Sequence, residues 1–439
     1  MDEKQSAFGW PLFLDIDQWI KQLLDQFYHA IPQLKLFNAN LNKTTATNMT
    51  DWIDHFVVTI ENEKILQNFG FIKREGNVYR RDDTVFPSFR IGASMEVALK
   101  VDSIDHFAGV HGVKYVKGIK NGAYRYALVE EKNCYRWSVI ERRGCSHYET
   151  SMDQDEVDIY LSFLKTFKER RRDYENIETG FFHLREMILS MVKKIDLSRV
   201  TDAFFKAERD YWESRNDVAQ WQKKRQDSFG LGWSNHDHHT YRSSRKYFLP
   251  LIHLFKLFGF ELRERFYAGK ESGWGAQVLE HHDCDIVIFA DVDLGEYEKD
   301  VDFSSKVLSE RTDLGTIGLW CGLHGESMFS AGLHHLEARF DFDKLCSDLK
   351  DSGGLFMSPF SDYDFLKQSF SQGQLWKVDK ERLVRLLSKD SINPLEYDRF
   401  LKEGAIGSHL ENLERKWGYK GFNQKSVSDI LERVNPRRK

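Results

Sequence analysis

NHDHHTYRSSRKYFLPLIHLFKLFGFELRERFYAGKESGWGAQVLEHHDCDIVIFADV, residues 235–292, reads as one strand, one helix and three more strands. Residues 235–242 are strand-like, and 246–258 carry apolar side chains at helical spacing. Residues 262–268, 273–280 and 285–292 then read as strands, the last almost continuously apolar from Ile286 to Ala290. Gly269, Gly273 and Gly275 punctuate them. The order is β-α-β-β-β.

The same order occurs upstream. Residues 95–101 read as a strand, and Ser103 caps a short helix over 103–111 closed by Gly112. Residues 114–119, 124–130 and 135–142 follow as strands, with turns at Asn121-Gly122 and Lys132-Asn133. The expected fold class is therefore α+β, with paired βαβββ modules forming a curved sheet and helical N-terminal and middle regions.

Working outward, residues 1–90 are expected to be a mainly helical N-terminal region. Apolar residues recur at helical spacing over 13–31 and 52–69, with a polar loop over 38–50. Residues 91–150 form the first module and 151–230 a charged helical connector, in which the run Arg170-Arg171-Arg172 reads as a solvated helix face. Residues 231–345 form the metal-binding module with two following strands, 316–324 and 334–342. Residues 346–439 form a mixed C-terminal region that closes the site.

Composition narrows the function. Of 439 residues, 63 are Lys or Arg and 68 Asp or Glu, for a net charge of −5, which argues against a nucleic-acid partner. No apolar run is long enough to span a membrane, and the polar, acidic start is unlike a signal peptide, so a cytoplasmic location is expected. The five cysteines are scattered without a CxxC pair, against both a disulfide framework and a thiolate zinc site. The 33 phenylalanines and 11 tryptophans favour packed cores and concave pockets.

Three clusters carry chemistry. In the first, His236, His238, Thr240 and Arg242 share one face of a strand, and Asp237, His239 and Tyr241 the other. Imidazole and guanidinium side by side suit a metal and an anionic ligand, with Arg242 gripping a carboxylate and Arg245 assisting. A hydrogen-bonded surface turn is the plainer alternative. The second cluster, at the end of the 273–280 strand, offers Glu280 as a ligand. The third joins His324, a ligand or general base, to His335 and Glu337, which share a strand face with Arg339. Glu411, Asn412 and Glu414 lie in a C-terminal stretch, 404–424, read as a lid or a simple cap.

The paired modules, with a histidine on the opening strand of the second, resemble the vicinal oxygen chelate superfamily. That resemblance implies a cup around one divalent metal, with ligands from first and last strands: His238 and Glu280, with Glu141 in the last-strand place of the first module. The opening strand of the first module, 95–101, has no histidine. The run His238-His239-Thr240-Tyr241-Arg242 and the stretch YDRFLKEGAIGSHLENL (397–413) are similar to the 2-oxoadipate dioxygenase/decarboxylase family, which implies iron on His238 and 2-oxoacid oxidation.

The expectation is thus a mononuclear metal-dependent enzyme, an Fe(II) dioxygenase or decarboxylase acting on a small 2-oxoacid or related carboxylate. The metal would sit on His238 with His335 and Glu280 or Glu337, with His324 catalytic and Arg242 and Arg245 on the substrate. Mn(II), Ni(II) or Zn(II) would also suit such donors. A metallohydrolase on His236, His238 and His239, an isomerase or lyase, or a non-catalytic ligand-binding protein are the competing readings.

Overall fold

The computed structural model describes residues 3–5, 9–150, 152–267, 273–298, 300–423 and 434–437. Ala268, Gly269 and Gln424, assigned above to a strand end, a turn and the C-terminal stretch, lie outside them.

A short hairpin of β1 (Glu3–Gln5) and β2 (Pro11–Phe13) precedes two open mixed sheets. The first contains β3 (Ile53–Val58), β4 (Ile72–Lys73), β5 (Val78–Arg80), β6 (Ser88–Ile91), β7 (Met95–Lys100), β8 (Val116–Lys117), β9 (Tyr124–Lys132) and β10 (Tyr135–Arg142). Their spatial order is β4-β5-β6-β3-β7-β10-β9-β8. Within each half the opening and closing strands are parallel, β3 with β6 and β7 with β10, and antiparallel β3 and β7 join the halves.

The second sheet repeats this plan with β11 (His236–Arg242), β12 (Glu261–Tyr267), β13 (Trp274–His281), β14 (Ile286–Asp293), β15 (His335–Arg339), β16 (Ser361–Tyr363), β17 (Leu366–Phe370), β18 (Gln374–Trp376) and β19 (Ala405–Arg415). The order is β12-β13-β14-β11-β15-β19-β17-β16, with β18 also on β19. Parallel pairs β11/β14 and β15/β19 meet across antiparallel β11 and β15.

Paired βαβββ modules are present, and there are four. Residues 53–91 form a module of their own, where the apolar spacing suggested helix. The helices Leu14–Ala30 and Pro32–Thr45 end before it, the second taking in residues 38–45 of the expected 38–50 loop. Strands of two to six residues are too short to display a period of two against a helical background. The module over 95–142 therefore pairs with 53–91, and 236–293 pairs with 335–415.

Residues 316–324, expected as a strand, form the helix Thr316–His324. Nearly every side chain of that helix is buried, so an apolar run without amphipathic contrast gave no period to distinguish it from a core strand. The Arg170–Arg172 run is not a solvated helix face either: it follows the helix Gln154–Glu169, Arg171 alone is exposed, and Arg170 and Arg172 both grip the buried Glu208, at 3.0 and 2.6 Å.

Alternation along the second sheet divides its faces. Tyr241, Ile288, Ala290, Leu336, Ala338 and Leu410 pack with Phe204, Phe205, Phe248 and Phe255 from the helices Leu197–Glu213 and Arg245–Leu257. Burying each such side chain contributes about 1.5–3 kcal/mol. This anchors the sheet so that its opposite face presents His238, Thr240, Arg242, Asp291, His335 and Glu411 to a cavity.

Candidate metal centre

Strand register builds the site. Thr240 on β11 lies opposite His335 on β15, and Glu337 lies beside Glu411 on the parallel β19. His238 projects from the same face. Its Nε2 is 3.7 Å from Glu411 Oε2, and His335 Nε2 is 3.0 Å from that same oxygen. The ligand atoms of His238, His335 and Glu411 all lie within 4.8 Å of one another, and all three residues are buried. Two imidazole nitrogens and one carboxylate oxygen at such spacing fit a single divalent ion.

The surroundings aim these donors. Glu337 Oε2 contacts His238 Nδ1 in a short ion pair, leaving Nε2 for the cavity. Gln368 Nε2 on β17 donates to Glu337 Oε1 at 2.8 Å and to Glu411 Oε1 at 3.2 Å, which leaves Glu411 Oε2 for the cavity. Asp237, His238 and Glu337 also converge, on the Nδ1 side. There Asp237 is held by Arg339 at 3.1 Å and Arg415 at 3.2 Å, and Arg415 lies 3.8 Å from Glu337. Two guanidiniums already balance those carboxylates, so this side suits orientation of His238 rather than a second cation.

Burial opposes charge on His238, but Glu337 and Asp237 outweigh it and raise its pKa to about 9. Burial, reinforced by His238, His409 and Arg242, pushes His335 well below the usual imidazole range. Burial and the adjacent Glu337 push Glu411 well above the usual carboxylate range.

The cavity beside the trio has a volume of about 60 Å³ and is walled by Phe266, Trp274, Phe289, Phe360, Phe370 and Phe422. Arg242 enters it fully buried, with Nε and Nη1 lacking a hydrogen-bond partner among the described residues. Burial pulls its pKa down to about 10 despite the opposing charge of Asp291. Asp291, paired with Arg242 in the β11/β14 register, lines the same cavity. Burial raises its pKa to about 7 against the pull of Arg242 and His238.

Several expected site residues lie elsewhere. Glu280, at the end of β13, shares the sheet face of His238 through Val287 on the strand between them, but it stands two strands away and is taken up by Arg263 at 2.6 Å and Lys420 at 3.0 Å. Glu141 belongs to the first sheet, where it binds Arg125, Arg143 and the backbone N–H of Ile104. Arg245 opens a helix and is tied to Glu298 by contacts of 2.6 and 2.8 Å. His324 ends its helix with Nε2 3.0 Å from the Ile406 carbonyl, outside the cavity lining. Glu337 touches His238 on the side away from the cavity. His236 and His239 do not join His238: the β11/β15 register slips between them, their rings lie 5.2 Å apart, and His239 packs on Phe205.

Glu411 is the donor that motif reading did not assign. Its signal was the sequence HLENLER over 409–415, in which Leu410 and Leu413 sit among polar residues. The strand it belongs to is buried over most of its eleven residues, so no simple alternation exposed it.

No protein-family model matches the chain, and no curated protein matches it. Solved structures with a similar fold include a Shewanella frigidimarina protein carrying a provisional hydrolase description, 14% identical over 51% of this chain and 97% of that one, TM-score 0.36. They also include methylmalonyl-CoA epimerase from Mycobacterium tuberculosis, 13% identical over 42% and 88%, TM-score 0.25. A mutant of 4-hydroxymandelate synthase from Streptomyces coelicolor is 11% identical over 89% and 99%, TM-score 0.30. At such distances none of them assigns a function to this chain.

Proposed function

We propose that the protein is a mononuclear metal-dependent enzyme, an Fe(II) dioxygenase or decarboxylase acting on a small 2-oxoacid. The observation that carries this is the convergence of His238, His335 and Glu411 within 4.8 Å in the cavity that also receives Arg242, whose Nε and Nη1 lack a hydrogen-bond partner among the described residues.

His238 and His335 through Nε2, with Glu411 through Oε2, would hold the ion. A divalent metal there supplies a Lewis acid with open positions for vicinal oxygens, and a two-histidine, one-carboxylate set is the arrangement of non-haem Fe(II) oxygenases. Glu337 holds His238 in the orientation that turns Nε2 inward, and Gln368 holds Glu411. Arg242 takes the substrate carboxylate; its Nε and Nη1 have no acceptor among the described residues, so binding supplies partners to a buried guanidinium. The aromatic walls leave the cavity a mainly apolar lining. The cavity, about 60 Å³, is smaller than the roughly 150 Å³ apolar cavity that admits benzene, which favours a small acid over a bulky one. Asp291 holds or releases a proton near neutral pH beside Arg242.

Anaerobic purification, metal analysis and oxygen uptake with a panel of 2-oxoacids test this. One iron per chain and oxygen uptake with a short 2-oxoacid are expected. His238→Ala abolishes metal loading, whereas Arg242→Ala keeps the metal and weakens substrate binding. Wild-type protein without stoichiometric metal, or the His238 variant with it, overturns the assignment. Stoichiometric Mn(II), Ni(II) or Zn(II) would retain the centre and refute the iron chemistry.

A further inference from the structure

The imidazole of His335 has a second neighbour that the proposed chemistry leaves unused. His334 immediately precedes β15 and is fully buried. Its Nδ1 is 2.9 Å from His335 Nδ1. Its backbone is pinned from both sides: His334 N donates to the Thr240 carbonyl at 2.9 Å, and His409 N donates to the His334 carbonyl at 3.1 Å. Its ring lies edge-on to Trp320 at 5.4 Å and beside His409 at 5.3 Å. Trp320 is itself fixed by a 3.0 Å bond to the Gly407 carbonyl.

Two imidazole nitrogens at 2.9 Å share one hydrogen. If His335 Nε2 is a ligand atom, neutral His335 carries its hydrogen on Nδ1, and His334 Nδ1 must accept it. His334 then carries its own hydrogen on Nε2, an atom without a partner among the described residues. The two ligand histidines therefore differ in what stands behind them: a carboxylate, Glu337, behind His238, and a neutral ring behind His335. Metal-bound histidines commonly give the other N–H to a carboxylate, carbonyl or water, and removing that partner weakens metal binding about 10–100-fold.

We propose that His334 is a positioning residue for the metal centre, accepting the Nδ1 hydrogen of His335 and so holding His335 Nε2, deprotonated, toward Glu411. This rests on the metal-centre reading above.

The test uses Co(II) as probe, titrated into full-length protein and followed by binding affinity and visible absorption. H334N places its amide oxygen where Nδ1 stood and keeps an acceptor; H334L has the bulk without one. H334L is expected to bind Co(II) about 10–100-fold more weakly with an altered spectrum, and H334N to restore both to near wild type. Wild-type binding and spectrum in H334L, or H334N as weak as H334L, overturns the role of His334 alone. Wild-type protein that binds no stoichiometric Co(II) overturns the metal centre and this proposal with it. A measurement that needs no variant is the ring-nitrogen NMR shifts of Zn(II)-loaded wild type: hydrogen on His335 Nδ1 and His334 Nε2 is expected, and hydrogen on His334 Nδ1 refutes the proposal.

Discussion

Replacing Arg242 by methionine should make the protein more stable and less able to bind its substrate. The guanidinium is fully buried, and two of its nitrogens have no hydrogen-bond partner among the described residues. Burial lowers its pKa from 12.5 to about 10, with Asp291 offsetting part of the loss. Because the folded-state pKa lies below the unfolded one, the penalty is fully present below about pH 10 and fades above it. That drop corresponds to about 3 kcal/mol against the charged state in the folded protein. Methionine follows much of the same path without the charge. Asp291, whose own pKa is about 7, can take up a proton rather than stand as a bare charge. Loss of the contact with the Trp320 ring, 5.5 Å from the guanidinium, removes about 1 kcal/mol. The net gain expected for Arg242→Met is about 1–3 kcal/mol. It is read as a higher urea midpoint with unchanged slope, alongside calorimetry with a short 2-oxoacid on metal-loaded protein. A variant that is less stable than wild type, or that binds the oxoacid equally well, would refute the view of Arg242 as a strained, ligand-awaiting group.

Glu411→Ala should abolish stoichiometric metal loading while Glu280→Ala leaves it intact; equal loading in both, by elemental analysis, would remove Glu411 from the centre. Oxoacid binding should weaken as pH rises through about 7, where Asp291 ionises and neutralises Arg242. Asp291→Asn should flatten that dependence in calorimetry between about pH 6 and pH 8, and a slope that persists in the variant argues against Asp291 as its source. Gly407→Ala would drive a methyl into the ring of Trp376, which should destabilise the chain by about 1–3 kcal/mol; an unchanged thermal midpoint would show that β19 yields there.

The sequence was most informative where one face of a strand had to do one job. His238 and Arg242 stand out because imidazole at 236 and 238 and guanidinium at 242 fall on one face of a strand beside a strongly apolar helix, and the second βαβββ module was legible from long elements, β11 to β14. The first half of the first sheet was hidden because its strands are two to six residues long. Glu280 was favoured because it ends a strand of the right module, but a strand end that meets Arg263 and Lys420 is an ion-paired rim. The donor that converges, Glu411, sits in a module whose closing strand is separated from β18 by two helices, Lys380–Ser388 and Pro394–Glu403. Local spacing carries no trace of such a connection.

β19 completes the second sheet, and its place there has a consequence for how the molecule matures. The candidate donors run from residue 238 to residue 411, so a nascent chain cannot assemble the trio before β19 has left the ribosome. Pairings this distant in sequence form late and slowly. An ion that binds only the finished arrangement would then act as a latch, drawing the equilibrium toward chains whose last strand is seated. Scarcity of metal during synthesis would leave a population with an unlatched second sheet, open to proteases at the strand that carries Glu411.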